Sequence, residues 1–325
     1  HLTSTFIRLK KEGFEPSRDL ILAFSGDEES TMVSTKYLAY ERQDLPEADF
    51  ALNSDSGGGQ LDVDGNAIVY AIQAAEKTYA TWDLIVRNPG GHSSRPRPDN
   101  AIYELAEALV KIGAFKFPVR WSDTTREYFR ETGAQLGGEL GAMMTRFADN
   151  PDDAEAAERL SSESSYVGNT RTTCVATMLR AGHAENALPQ SATATLNCRI
   201  FPGDSSDDVK KMLQQAIGND DVEFAVVYPA EESPTSDLTE EVRAAASQAV
   251  HGRYPDVRIM PFMSAGTTDG LHFRRAGIPT WAMGGIFMNP NDGYAHGLNE
   301  RVPITAFYDA LDHWSIIIRS LAGGE

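Results

Sequence analysis

The stretch AFSGDEES, residues 23–30, runs Asp27, Glu28 and Glu29 directly off the apolar run Leu20-Ile21-Leu22-Ala23-Phe24. Adjacent like charges at the end of a buried segment are costly unless a cation sits on them or they face water. RDLILAFSG therefore reads as a buried strand that delivers an acidic cluster to a sheet edge. A short helical stretch from Thr35 to Gln43 follows, then ADFALNSDSGGG, a second strand that ends in a carboxylate, Asp55, and a glycine turn. Strand, helix, strand with polar groups at the strand ends is the α/β pattern, whose sites lie at the carboxyl edge of the sheet.

Upstream, STFIRLKKEGF reads as an amphipathic helix stopped at Gly13, and His1-Leu2-Thr3 precedes it without an initiator Met. The expectation is a chain that starts inside a longer protein. Downstream the texture changes at Lys77. KTYATWDLIVRN reads as a strand and DNAIYELAEALVKIG as a helix with Ile102, Leu105, Leu109 and Ile112 on one face. After a polar, acidic stretch from Ser122 to Ser165, irregular or helical, RTTCVATMLRAG and SATATLNCRIFPG read as paired strands. SSDDVKKMLQQAIG is a helix with a Ser205/Asp208 capping pattern, and VEFAVVYP a strand. This is a small α+β unit with an antiparallel sheet. After Tyr228 the α/β texture returns, closing on AFYDALDHWSIIIRSLAG with Phe307, Leu311, Trp314, Ile318 and Leu321 inward. The expected organisation is α/β, residues 1–76 and 230–325, interrupted by an α+β insertion over 77–229.

The 325 residues are 41% hydrophobic and 23% charged, and no apolar run is long enough to span a bilayer. A net charge of −18 repels phosphate backbones and anionic membranes, so neither nucleic acid nor membrane is an expected partner. Two cysteines, Cys174 and Cys198, make no disulfide framework, although one bridge stays open. The compartment, cytoplasmic or periplasmic/secreted, is not legible.

Each candidate residue has a chemical and a plainer reading. Glu28 and Glu29 point opposite ways on extended backbone, so one can hold a cation while the other takes a proton from water on it; otherwise they are a solvated loop. Zinc lowers the pKa of bound water from about 15.7 to about 7, which makes that division useful. Asp55 is a ligand or a turn former before glycines. His296 in GYAHGLNERVP is a ligand or a surface residue. His92 in NPGGHSSRP presents an imidazole to a developing oxyanion or merely sits in a turn. Arg199, on the polar face of an alternating strand, forks onto a substrate carboxylate or faces solvent. SAGTTDG, residues 264–270, brings backbone N–H groups to an anion or is a simple turn. Nucleophilic catalysis finds little support, since SDSGG is not a Gly-x-Ser-x-Gly elbow.

In this order, GDEES, NSDSGGG, GGHSSRP, AENALPQSATATLNCRIFPG, SAGTTDG and AHGLNERVP resemble the co-catalytic zinc peptidase and amidohydrolase family of aminoacylase, carboxypeptidase G, carboxypeptidase S and succinyl-diaminopimelate desuccinylase. The resemblance covers essentially the whole chain. It implies a zinc-peptidase-like α/β domain with an inserted ferredoxin-like lid through which the protein forms a homodimer. It also implies Glu28 as general base, Glu29 and His296 on one zinc, Asp55 on the second, and His92 assisting the transition state. Asn186, Arg199, Gly266 and Thr267 would hold the substrate's carboxylate end. The segment between GGHSSRP and NTRTTCVATML resembles the carboxypeptidase S branch, which implies N-acyl amino acids or short peptides as substrates. The family's upstream His-x-Asp motif and bridging Asp-Asp pair have no counterpart here: none of the seven histidines is followed two positions later by Asp. Two zinc ions are therefore expected in an intact parent, but at most one, weakly held, on this chain. A non-catalytic dimerisation or ligand-binding module is the other reading.

Overall fold

A computed structural model describes residues 1–42, 47–289, 292 and 294–323. Along the chain lie α1 (Leu2–Lys11), α2 (Val33–Tyr40), β1 (Ala51–Asn53), β2 (Gly58–Leu61) and β3 (Ala67–Glu76). Next come β4 (Thr78–Arg87), β5 (Gly91–His92), α3 (Ala101–Ala114), α4 (Asp123–Leu136), α5 (Gly138–Asp149) and α6 (Ala154–Ser161). Then follow β6 (Thr173–Ala181), β7 (Ala187–Leu188), β8 (Ser191–Ile200), α7 (Ser206–Ile217) and β9 (Glu223–Tyr228). The last described elements are α8 (Glu240–His251), β10 (Arg258–Ser264), α9 (Gly270–Arg275), β11 (Thr280–Ala282), β12 (Phe287–Met288) and α10 (Ile304–Ala322). They pack as two units, one of residues 1–76, 122–156 and 233–325, the other of 77–121 and 157–232.

The first unit is built on a mixed sheet ordered β1-β11-β3-β2-β12, with β10 parallel to β3. Tyr70, Ile72 and Ala74 of β3 are fully buried beneath Val242 and Ala246 of α8 and Trp314 and Ile317 of α10. Gly57 makes the turn into β2 with φ 75°, where any side chain would collide with the Ala282 carbonyl oxygen. Helices α4 and α5, formed from the polar stretch expected within 77–229, pack on each other, and α4 packs on β10 in this unit.

The expected strand over 18–26 does not form. Residues 20–25 are irregular, with Ile21 and Phe24 50% and 65% exposed. A strand exists only where a neighbour takes its backbone groups, and no described strand pairs with this one. Hydrogen bonds from Ser25 Oγ to Asp269 and from Gly26 N to Ser34 Oγ hold the segment instead. Helix α2 begins two residues before Thr35, and the expected end at Gln43 lies outside the described residues.

The second unit is the antiparallel sheet β6-β8-β4-β9 with α3 and α7 on one face. Period-two alternation explains it: Ala194, Leu196, Cys198 and Ile200 of β8 face Trp82, Leu84 and the helices, while Thr195, Asn197 and Arg199 face away. Both helices carry the expected caps, Asn100 Oδ1 accepting from Ile102 N and Ser205 Oγ from Asp208 N. Two inward assignments are corrected. Ile102 in the first turn of α3 is exposed, its place on the core taken by Ala101 and Ala108. Phe307 in the first turn of α10 is also exposed, its ring centre 4.6 Å from that of His1 and tilted to it by 46°.

His313 of α10 is buried, its Nε2 3.0 Å from Tyr70 Oη, and burial pushes its pKa down from 6.5 to about 4. The unfolded chain thus binds this proton first, so the associated stability is present above pH 6.5 and is lost as pH falls through 4. Denaturant unfolding at pH 7.5 and pH 4.5 should show about 3 kcal/mol less of this loss in His313→Leu than in the wild type. An equal loss in both would contradict the assignment.

Candidate functional site

In the first unit the three adjacent carboxylates separate by role. Asp27 accepts from Val33 N at 2.7 Å, Ser34 N at 3.0 Å, Thr31 Oγ1 at 2.6 Å and Ser34 Oγ, which hold its carboxyl well below the usual range. It builds the turn into α2 and has no lone pairs to spare for other work. Glu28 is half-buried, and its carboxyl is pushed up to about 7, by burial first and then by Asp55, Glu29, Asp269 and Glu76. Asp55 is likewise pushed up, by desolvation and then by Asp269 and Glu29, with His296 pulling the other way. Its own N–H donates to Asn53 Oδ1 at 2.8 Å, so the side chain that closes this turn is Asn53, and the Asp55 carboxylate takes no part in that bond.

Asp269 is the member of this group that the sequence reading passed over. Its carboxylate accepts from Ser25 Oγ at 2.6 Å and from Thr35 Oγ1, and so ties loop 264–270 to the segment that carries Glu28. One residue earlier, Thr268 N donates to Glu76 Oε2 at 3.1 Å. Glu76 ends β3 and pairs with Arg274 at 2.6 Å, both side chains buried, and Gln73 Nε2 adds a bond at 3.0 Å. Burial pushes the Glu76 carboxyl up against the pull of Arg274. Within that loop Gly266 is exposed, with its N–H given to Ser264 Oγ at 3.0 Å, and Thr267 is half-buried. A local signal for Glu76 did exist: a charge closing the apolar strand AIVYAIQAAE, as in GDEE. Asp269, before a glycine, looks like an ordinary turn residue.

In the second unit β5 and β7 form a two-residue ribbon, with His92 opposite Ala187. Ser93 N donates to the Asn186 carbonyl at 3.0 Å, so His92 and Asn186 share this ribbon, both exposed. His92 Nδ1 accepts from Ser94 N at 3.2 Å, which leaves Nε2 of the neutral ring as the donor. Arg199 lies between Tyr79 of β4 and Thr173 of β6, its guanidinium 4.6 Å from the Tyr79 ring centre. Nearby, Lys77 is buried, donates to the Arg171 carbonyl at 2.8 Å and is pushed down to about 7, by burial and then by Arg199.

Carboxylates and an imidazole are suitable zinc donors. Among the described residues, however, no three His, Cys, Asp or Glu side chains are grouped so as to hold a metal ion. Glu29, Asp55 and His296 share an electrostatic neighbourhood but not a ligand geometry, so the group does not fit these side chains as they stand.

Residues 74–225 match a peptidase dimerisation domain. The chain is 26% identical over 301 residues to N-fatty-acyl-amino acid synthase/hydrolase PM20D1 of Xenopus tropicalis, covering 90% of this chain and 58% of that protein. It is 26% identical over 326 residues to probable carboxypeptidase S-like 2 of Dictyostelium discoideum, covering 96% and 61%. It thus spans about three fifths of the length of these relatives. Its fold resembles the M20 family metallo-carboxypeptidase Sso-CP2 of Sulfolobus solfataricus, with a TM-score of 0.62 and 20% identity, over 91% of this chain and 69% of that one. With a dimerisation-domain match over residues 74–225 and this likeness along nearly its whole length, the chain resembles the M20 peptidases in sequence and in fold.

Proposed function

We propose that the protein hydrolyses an amide or peptide bond beside a free carboxylate, in N-acyl amino acids or short peptides. The observation that carries this reading is the set of mutually perturbed acids, with Glu28 pushed to about 7 by burial and by Asp55, Glu29 and Asp269. A carboxyl titrating near neutrality can accept a proton from attacking water and return it to the leaving amine. His92 is supported as an oxyanion donor by its free-standing ribbon and its Nε2–H, and Asn186 by the same ribbon. Arg199 is supported as the carboxylate anchor by its fixed stack on Tyr79. Gly266 and Thr267 sit on a loop braced from two sides, at Glu76 and at Asp269. The family reading assigns zinc to Glu29, Asp55 and His296, and this chain is expected to hold at most one ion, weakly.

The edge strand β6 and the dimerisation-domain match support a homodimer through the second unit. Turnover should require the free carboxylate: the methyl ester of an N-acyl amino acid should be hydrolysed at its amide at least 100-fold more slowly than the acid. Equal rates would remove Arg199 from its role. One observation favours a second reading, a non-catalytic module: no three-donor metal group is found among the described residues. Elemental analysis showing no zinc after equilibration, together with no turnover, would favour that reading.

A further inference from the structure

We propose that the Cys174–Cys198 bond gates self-association of this chain, by holding β6 in place as the edge on which a second copy docks. The proposal rests on the homodimer reading and adds a thiol–disulfide control to it. The chain has two cysteines, and β6 and β8 set them directly opposite one another, Cα atoms 4.1 Å apart and sulfurs bonded. Cys198 is fully buried in the core beneath α3 and α7, and half-buried Cys174 packs against the same core. Beyond Cys174 the strand adds no apolar side chain to the core: all of residues 175–181 are exposed, among them Val175 at 58%, Met178 at 51% and Leu179 at 64%, and Thr177 Oγ1 donates to the Thr195 carbonyl at 3.3 Å. The register slips between Ala176 and Met178, which loosens the ladder further.

Strand β6 is thus held by its backbone ladder to β8, by the hydroxyls of Thr173 and Thr177, which meet Lys77 Nζ and the Thr195 carbonyl, and by one covalent side-chain anchor. Its other side is a sheet edge that offers N–H and C=O groups for pairing. A second copy fits that edge best. An antiparallel strand meeting its own two-fold image satisfies both rows of backbone groups, and the exposed Val175, Met178 and Leu179 would bury one another. The residues also fall within the stretch that matches a peptidase dimerisation domain. A strand that packs no apolar residue on the core beyond Cys174 must have its outer part ordered before it can dock, and that ordering weakens association. A bond closing 24 positions of chain removes part of that disorder beforehand.

The chemistry is thiol–disulfide exchange with a dithiol/disulfide couple. A dithiol passes two electrons and two protons to the bond, leaving Cys174 and Cys198 as thiols and itself as a disulfide, and the reverse exchange restores the bond.

Sedimentation equilibrium of the full chain, oxidised and in excess dithiol reductant, tests this. The dimer dissociation constant should rise at least tenfold on reduction and return on reoxidation, with the far-UV circular dichroism of the sheet unchanged. The Cys174→Ala/Cys198→Ala variant should match the reduced protein without reductant. Should that variant not fold, the reversible wild-type comparison decides. Equal constants in both redox forms would overturn the gate, as would loss of the sheet signal on reduction, which would make the bond a staple for the whole unit. A strictly monomeric oxidised protein would remove the homodimer reading itself.

Discussion

Glu28→Gln should lower kcat for amide hydrolysis by about 10²- to 10⁴-fold, the usual contribution of a positioned acid–base group. Glutamine keeps the size and one acceptor oxygen but cannot carry a proton away from water. KM should change little, because the carboxylate anchor proposed at Arg199 lies on a different element from Glu28. Native turnover in Glu28→Gln would move the base elsewhere.

Arg274→Met should be the most destabilising single substitution at the site, by about 3–5 kcal/mol, because it strands a buried carboxylate without its cation. Glu76 and Arg274 are both buried, and Glu76 also accepts from Gln73 and Thr268, so the loss reaches loop 264–270 as well as β3. The double variant Glu76→Gln/Arg274→Met should recover much of that loss, since no unpaired charge then remains. The exposed pair Arg8–Glu12, although 2.9 Å apart, should cost far less when broken, because water screens both charges. Urea unfolding curves measure all four proteins, and a loss below about 1 kcal/mol for Arg274→Met would show that the pair is not the strut described here.

What could be read from the sequence was whatever is local and periodic. β4 and β8 alternate cleanly, α3 and α7 announce their caps, and GDEE stands out because charge follows apolar residues so abruptly. Residues 18–26 failed as a strand because pairing depends on a neighbour, which local apolarity does not specify. Helices α4 and α5 were equally ambiguous, as an amphipathic pattern does not name the sheet it covers, and β10 lies more than 100 residues downstream. Asp27, Glu28 and Glu29 look interchangeable in sequence. Only the hydroxyls of Thr31 and Ser34 and the N–H groups of Val33 and Ser34 assign Asp27 to the turn and free Glu28 for the acid group. Asp269 and Glu76 stayed hidden because their partners, Ser25, Thr35 and Arg274, come from distant parts of the chain.

The claim beneath all of this is that Glu28, Glu29, Asp55 and Asp269 act on one another as a single acidic site. Carbon-13 NMR titration of the Glu28 side-chain carboxyl in chelator-treated protein tests it most directly. The account expects a midpoint near the perturbed value of about 7, moving down in Asp55→Asn. A midpoint at the ordinary glutamate value, unchanged by Asp55→Asn, would contradict it.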